Sequence, residues 1–348
     1  MAAKDNVCVD ALRDPLYFDA VPLVLVAALL LLTACGGGPF PQSVLHAEAD
    51  FSRELDGLFK NIFAWAVGVF LVVETLLLVA IARFRARPGH PEPKPVHGHT
   101  ALEIGWTLAP ALILVFIAVP TMRTIFSTAG RAPEGALRVE VIGHQWWWEY
   151  RYPTLGISTS NELHLPVGTH IAVEMTSADV IHSFWIPRLA GKRDLVQGRT
   201  TRIAFRPDST GEYLGQCAEF CGASHANMRL RVVVESDSLF QRWVVRQRAA
   251  PAAPPEGSAE ARGQQIFRRS ACIGCHTITG ISTAKVGPDL NHVGGRATLA
   301  GALFPNTTEW LRRWIVNAPE LKPGALMPPQ NLQGADLDAV VAYLQSLK

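Results

Sequence analysis

Cys217-Ala-Glu219-Phe-Cys221-Gly-Ala-Ser-His225-Ala-Asn-Met228 places two thiols, an imidazole and a thioether within a dozen residues. Thiolate and thioether ligands select copper, and imidazole suits it as well. A mononuclear blue-copper site takes one cysteine, two histidines and a weak axial methionine. Two cysteines four apart can instead bridge two coppers, sharing one electron with little change of geometry. The loop lacks a second histidine, and His182 in Asp179-Val-Ile-His182-Ser-Phe-Trp supplies one upstream. A disulfide or a structural zinc site would account for the cysteines, but neither needs Met228 or the intervening Glu219.

Working outward, the copper loop falls between two strand-like runs, Gly211–Gly215 and Met228–Val234. Short β-branched runs with period-two alternation begin after Ser127, as in Leu137-Arg-Val139-Glu-Val141 and His170-Ile-Ala-Val-Glu-Met175. They predict an antiparallel β sandwich or barrel over residues 127–246, ending in a short helix over Ser238–Arg248. The run Gln145-Trp146-Trp147-Trp148-Glu149-Tyr150 lies within it. Three tryptophans on a strand would ordinarily be packing. Residues 247–257 form a Pro/Ala linker of semi-rigid type. Helical patterns return from Ser258, and Leu337, Val340, Val341 and Leu344 share one face of a last helix over Ala335–Leu347.

The C-terminal segment carries Cys272-Ile-Gly-Cys275-His276, the haem c attachment motif, in which both thiols add to the haem vinyls and His276 becomes an iron ligand. Residues 258–348 resemble a class I cytochrome c. The resemblance implies close helix contact at Gly263 and Phe267, with Tyr343 packed on Gly263. It also implies a Pro288 carbonyl, in Gly287-Pro288-Asp-Leu290, that accepts from the His276 ring. Met327 of Met327-Pro328-Pro329 would be the sixth ligand, and Met/His ligation raises the reduction potential.

The chain has 348 residues, 49% hydrophobic and 18% charged, with a net charge of +2. This excludes disorder over most of its length and gives no electrostatic footprint for nucleic acid. The apolar residues gather near the N-terminus. Val21–Ala34 is too short to span a bilayer and ends in Leu32-Thr33-Ala34-Cys35. Residues 1–34 therefore read as a signal peptide of lipoprotein type with Cys35 as the lipidated first residue, although Asp10, Asp14 and Asp19 stand where a basic segment is expected. Ile62–Ile81, with the single charge Glu74, and Ile104–Pro120, closed by Arg123, predict a transmembrane hairpin over residues 58–126, with spans at 62–81 and 104–123. Arg83, Arg85, Arg87 and Lys94 place the connecting loop on the cytoplasmic side and everything after Ser127 outside.

The pattern C-x-E-x-C-x-x-x-H-x-x-M, preceded by His-Ser-Phe-Trp, resembles subunit II of the haem–copper cytochrome c oxidases over residues 50–235. The resemblance implies a cupredoxin-like Greek-key domain in a multidomain chain, between the two-helix hairpin and the all-α cytochrome c domain. By it, the side chains of His182, Cys217, Cys221, His225 and Met228 and the backbone carbonyl of Glu219 bind a binuclear CuA centre. The Glu219 carboxylate is then free to reach a magnesium ion at the boundary with subunit I. Trp146 takes the electron-accepting position, with Trp147 where Tyr or Phe is more usual. Glu103, in Thr100-Ala-Leu-Glu103-Ile-Gly-Trp106, matches a family glutamate near the mouth of a proton pathway in subunit I. Glu74 faces subunit I, is protonated, or is a tolerated single charge. His90, His97 and His99 read as solvated, and Met122 and Met175 as packing.

The implied function is a relay without a catalytic residue of its own. Electrons would pass from an external donor, a cytochrome c or an upstream respiratory complex, through haem c to CuA and on to subunit I. Oxygen reduction and proton pumping would occur there, with subunit III as a further partner, in a bacterial inner membrane with both outer domains periplasmic. The charges of the copper domain nearly balance, and a tethered donor needs little electrostatic steering. The linker would let the haem domain swing between two faces. An alternative is the electron-accepting subunit of a CuA-containing nitric oxide reductase. A membrane-anchored copper-delivery protein would have no need of the fused haem domain.

Overall fold

The computed structural model describes residues 40–85, 95, 97–129 and 132–348. The expected signal peptide and Cys35 lie outside the described residues, as do Arg87, His90 and Lys94.

Helices α1 (Asp50–Phe84) and α2 (Thr100–Thr128) are both long and apolar enough to cross a membrane. They lie against each other, with Trp65 stacked on Phe116 at 5.5 Å and Ser127 donating to Glu54. Each extends past its expected span. At 1.5 Å per residue α1 reaches roughly 50 Å, well over the hydrocarbon thickness of about 30 Å. The excess at its N-terminus is used as a foot. Asp50 Oδ1 accepts from Arg206 N at 2.7 Å, and the Ser52 hydroxyl donates to the Arg188 carbonyl at 2.8 Å. Phe51 is buried against Gly191, where an added Cβ would lie 2.9 Å from the ring. The first turn of α1 thereby seats the β domain on the hairpin.

That domain packs two five-stranded sheets, β3-β2-β1-β5-β8 and β4-β10-β9-β6-β7. The strands are β1 (Leu137–His144), β2 (Trp147–Tyr152), β3 (Ile157–Ser160), β4 (Glu162–Pro166), β5 (Ile171–Ser177), β6 (His182–Trp185), β7 (Arg193–Leu195), β8 (Thr201–Phe205), β9 (Gly211–Cys217) and β10 (Arg229–Glu235). Trp148, Tyr150, Tyr152 and Phe205 fill the core between the sheets. The sheets are mixed rather than purely antiparallel, because β1 pairs with β5 and β10 with β4 in parallel. Side chains alternate with period two in either case, so the sequence pattern cannot separate them. Helix α3 (Asp237–Arg248) closes the domain, with Phe240, Trp243 and Val244 buried.

The C-terminal domain holds α4 (Ala259–Arg269), α5 (Thr308–Val316), α6 (Ala318–Leu321) and α7 (Gly334–Ser346). It also has two small ribbons, β11 (Thr277–Ile278) with β12 (Ser282–Thr283) and β13 (Thr298–Leu299) with β14 (Phe304–Pro305), which a purely helical reading omits. Two-residue strands are too short to show a period. Helices α4 and α7 cross where Gly263 meets the Ala339 carbonyl, and Phe267 meets Tyr343 edge-on at 6.0 Å.

In this structure the linker leads to a docked domain. Arg248 still belongs to α3 and donates to the Leu155 carbonyl at 2.7 Å, and the C-terminal domain is docked on the β domain. Pro/Ala composition reports the stiffness of a connector and carries no information about the surfaces at its two ends.

Candidate copper and haem centres

The residues of the copper loop converge because three strand ends meet. His182 opens β6, Cys217 ends β9, and Met228 precedes β10. Phe184 of β6 pairs with Cys217, and Cys217 N donates to the Met228 carbonyl at 2.9 Å. Between them a short 3-10 turn, His225–Asn227, folds the loop back, with His225 N bonded to the Gly222 carbonyl at 3.0 Å.

The soft donors then lie together. Cys217 Sγ is 3.8 Å from Cys221 Sγ, 3.8 Å from His182 Nδ1 and 3.2 Å from the Glu219 carbonyl. Cys221 Sγ is 3.6 Å from His225 Nδ1 and 3.8 Å from Met228 Sδ. The two thiols are unoxidised and share one low-energy arrangement: a hydrogen bond from Cys221 holds the Cys217 pKa down to about 3, while that of Cys221 is pushed up. Burial alone would lower the His182 pKa, but its bonds to Cys217 and Asp179 prevail and raise it. Two thiols with an imidazole and a carbonyl or thioether against each fit copper rather than a hard cation. Among the described residues, His182, Cys217 and Cys221 form the one group of three or more His/Cys/Asp/Glu able to hold a metal.

Asp179 and Gln145 also belong to this site, although they are absent from the ligand pattern. Asp179 Oδ1 lies 2.8 Å from His182 Nε2, which fixes the ring with Nδ1 toward the thiols. The signal was local, a carboxylate three residues before the histidine. Trp146 sits in the hairpin turn between β1 and β2 rather than on a strand, and its Nε1 donates to the Cys221 carbonyl at 3.0 Å. Gln145 Nε2 donates to the same carbonyl at 2.8 Å. Trp147 stacks on His144 at 4.1 Å, and Trp148 packs edge-on against Phe184 and His182. The Glu219 carboxylate points out to solvent.

In the C-terminal domain His276 Nδ1 is 2.8 Å from the Pro288 carbonyl, leaving Nε2 for a metal. Gly287 lies on the imidazole, and an added Cβ would fall 2.7 Å from Cε1. Burial lowers the His276 pKa, which keeps the ring in the neutral, ligating form. Cys272 and Cys275 are free thiols beside it, and Met327 is half-buried in the loop before α7. Arg296 Nε, Asn306 Oδ1 and both ring nitrogens of His292 are buried without a partner among the described residues. The unpartnered Arg296 and His292 nitrogens are of the kind that a large group with anionic substituents would satisfy.

The two sites meet. Lys322, buried at 3% exposure with its pKa held down to about 7 by that burial, donates to the Trp146 carbonyl at 2.6 Å. Ser224, next to His225, donates to the Pro323 carbonyl at 2.5 Å. Trp146 is left only 8% exposed.

Comparison with known proteins assigns the chain. The family models "Cytochrome C oxidase subunit II, transmembrane domain", "Cytochrome C oxidase subunit II, periplasmic domain" and "Cytochrome c" match residues 42–124, 154–236 and 260–348. Cytochrome c oxidase subunit 2 of Alkalihalophilus pseudofirmus is 38% identical over 326 residues, covering 92% of this chain and 94% of the relative. The chain belongs to the cytochrome c oxidase subunit II family. The Bacillus subtilis cytochrome c oxidase subunit 2 is 32% identical over 94% of this chain and 97% of its own. The crystal structure of the periplasmic domain of subunit II of cytochrome oxidase from Bradyrhizobium japonicum aligns with 33% of this chain and 96% of that one, at 33% identity and a TM-score of 0.33.

As a subunit II, the chain is a membrane protein with its β domain outside, and membership implies association with subunit I in a membrane oxidase complex. The subunit II domain implies a CuA centre and the cytochrome c domain a haem. Two residues of the sequence reading have other partners. Glu103 Oε1 accepts from His99 N at 3.2 Å, capping α2 together with the exposed His99 ring. Glu74 lines an open apolar groove of about 440 Å³ with Trp65, Val69, Ile113 and Ile117.

Proposed function

We propose that this chain relays electrons from an external donor, through a covalently held haem c, to a binuclear CuA centre and on to subunit I of a proton-pumping respiratory oxidase. The copper ligands in this reading are the side chains of His182, Cys217, Cys221, His225 and Met228 and the carbonyl of Glu219. Cys272 and Cys275 attach the haem, with His276 and Met327 as axial ligands and the Pro288 carbonyl orienting His276. When bound, both groups supply one-electron chemistry without proton or atom transfer. The observation that carries the reading is the convergence of the two thiols, His182, His225 and Met228 within 3.6–3.8 Å neighbour distances.

The chain's own residues hold and insulate. Asp179 fixes the His182 tautomer, a hydrogen-bonding role that sets ligand orientation and basicity. Trp146, bonded to the Cys221 carbonyl, stands where electrons reach the copper loop. Glu219 is exposed, and in this reading its carboxylate would be free to hold a magnesium ion at the subunit I boundary. Glu103 would stand by the cytoplasmic mouth of the proton pathway. Subunit III completes the complex, the membrane is a bacterial inner membrane, and Cys35 carries a lipid after removal of residues 1–34.

The test is purification of the assembled complex with metal analysis, optical spectra and oxygen uptake. Two coppers and one covalent haem per chain with oxygen consumption are expected. Zinc, or a single copper, would sink the binuclear assignment, and turnover with nitric oxide in place of oxygen would replace the oxidase with a reductase.

A further inference from the structure

Two buried charges of opposite sign cross the boundary between the β domain and the cytochrome domain, one in each direction. Glu162, 3% exposed at the start of β4, reaches out of the β domain. It accepts from the N–H groups of Ala297 and Thr298 at 3.2 and 2.8 Å and from the Thr298 hydroxyl at 2.8 Å. Lys322 reaches the other way. Its ammonium donates to the Trp146 carbonyl at 2.6 Å, and a second bond to Ala300 within its own domain, 2.8 Å, steadies it.

Lys322 also begins the loop that carries Met327. Beside it, the Pro323 carbonyl takes the Ser224 hydroxyl, one residue from His225. Gly324, at φ +82°, lies on the Trp146 ring so closely that an added Cβ would be 2.6 Å from Cη2. Gly222 of the copper loop approaches the same ring, and an added Cβ there would be 3.1 Å from Cζ2. The indole is thus packed between the loop bearing the copper ligands and the loop bearing Met327.

Burying a charge costs several kcal/mol unless hydrogen bonds compensate it. Glu162 and Lys322 find most of those bonds across the boundary, to main-chain atoms and the Thr298 hydroxyl, while Arg231 of the β domain lies 3.5 Å from Glu162. If the domains parted, the cross-boundary partners would be left to water. The two residues therefore favour one docked arrangement.

Building on the relay described above, we propose that Lys322 and Glu162 are positioning residues for internal electron transfer. They latch the Met327 loop onto Trp146 and the copper loop, and thereby close Trp146 to donors other than the chain's own cytochrome domain. One electron crosses, and no bond is made or broken.

The test uses the full chain in the assembled oxidase, with Lys322→Met and Glu162→Gln. Neither change touches a proposed copper or haem ligand. Each variant is expected to slow flash-induced transfer from haem c to CuA severalfold, because the docked arrangement that brings the Met327 loop onto Trp146 is less populated. Optical spectra, metal content and the haem c potential should keep their wild-type values, and so should the CuA potential in Glu162→Gln; in Lys322→Met the loss of a cation that acts on Cys221 lowers the CuA potential. Hydrogen exchange should rise in residues 218–228 and 322–326. Glu162→Gln keeps side-chain size and an acceptor oxygen, so it decides the matter if Lys322→Met does not fold. Unchanged rates with unchanged exchange would overturn the latch, and so would an altered potential in Glu162→Gln, which would make that residue a tuner of redox energy. Failure of the relay itself is distinguishable, because the wild-type chain would then lack the haem c or CuA spectrum.

Discussion

Asp179 holds His182 and the Trp146 turn at once: its Oδ1 lies 2.8 Å from His182 Nε2, and its Oδ2 accepts from Gln145 N at 2.6 Å. One carboxylate therefore fixes a proposed copper ligand and the backbone that precedes the Trp146 indole. Asp179→Ala removes both bonds. Copper affinity should fall about 10–100-fold, the usual effect of losing the partner of a ligating histidine. Competition with a copper chelator measures this, and undiminished affinity would show that Asp179 does not orient His182.

Met228 is fully buried, with Sδ 3.8 Å from Cys221 Sγ. Met228→Leu conserves volume and hydrophobicity, so the fold should survive at a cost under about 1.5 kcal/mol. The loss of a weak axial sulfur should shift the CuA potential while both coppers remain. Spectroelectrochemistry reads the shift, and an unchanged potential would mean Met228 packs without ligating.

The copper loop was legible because its chemistry is compressed into twelve residues, Cys217 to Met228, and its missing histidine lies beside a quoted strand. His276 and Pro288 were legible for the same reason. Lys322, Glu162 and Ser224 were not. Each looks like a solvated polar residue, and each gains its role from a surface that another domain supplies, which no local pattern encodes. Parallel pairing of β1 with β5 was hidden because the period-two signal is the same for both strand directions.

At the crossing of α4 and α7, Gly263 has no room for a side chain: a Cβ would fall on the Ala339 carbonyl and 2.8 Å from Tyr343 Cβ. Gly263→Val should force the helices apart and destabilise the cytochrome domain by about 1–3 kcal/mol, as overpacking does. Denaturant unfolding of the full chain, followed by haem absorbance, should show that transition move while the copper absorbance transition stays in place. Equal stability of the variant would mean the helices slide at no cost.

Loss of Met327 tests the order of the relay from the donor side. Met327→Leu should lower the haem potential, because the thioether favours ferrous iron. Oxygen uptake with the physiological donor should then fall steeply, while a small reductant able to reach CuA directly should still sustain it. Equal losses with both reductants would mean that the substitution damages the copper centre.

The docked domain also sets what the linker can do. A tenfold extension of residues 249–257 lowers the effective concentration of the cytochrome domain about 30-fold by the −3/2 power law. A domain that found its partner only by collision would lose that whole factor in transfer rate. Here the Trp146 ring, the Lys322 ammonium and the Glu162 carboxylate are already buried in the contact, so docked occupancy governs the rate. The rate should fall by clearly less than 30-fold in the extended chain. In the extended chain carrying Lys322→Met, occupancy is no longer held and the fall should approach the full factor. Flash-induced electron transfer in the assembled oxidase measures both. A full 30-fold loss from extension alone would show the contact to be marginal, and reduction of CuA before haem c by the native donor would refute the order of the path.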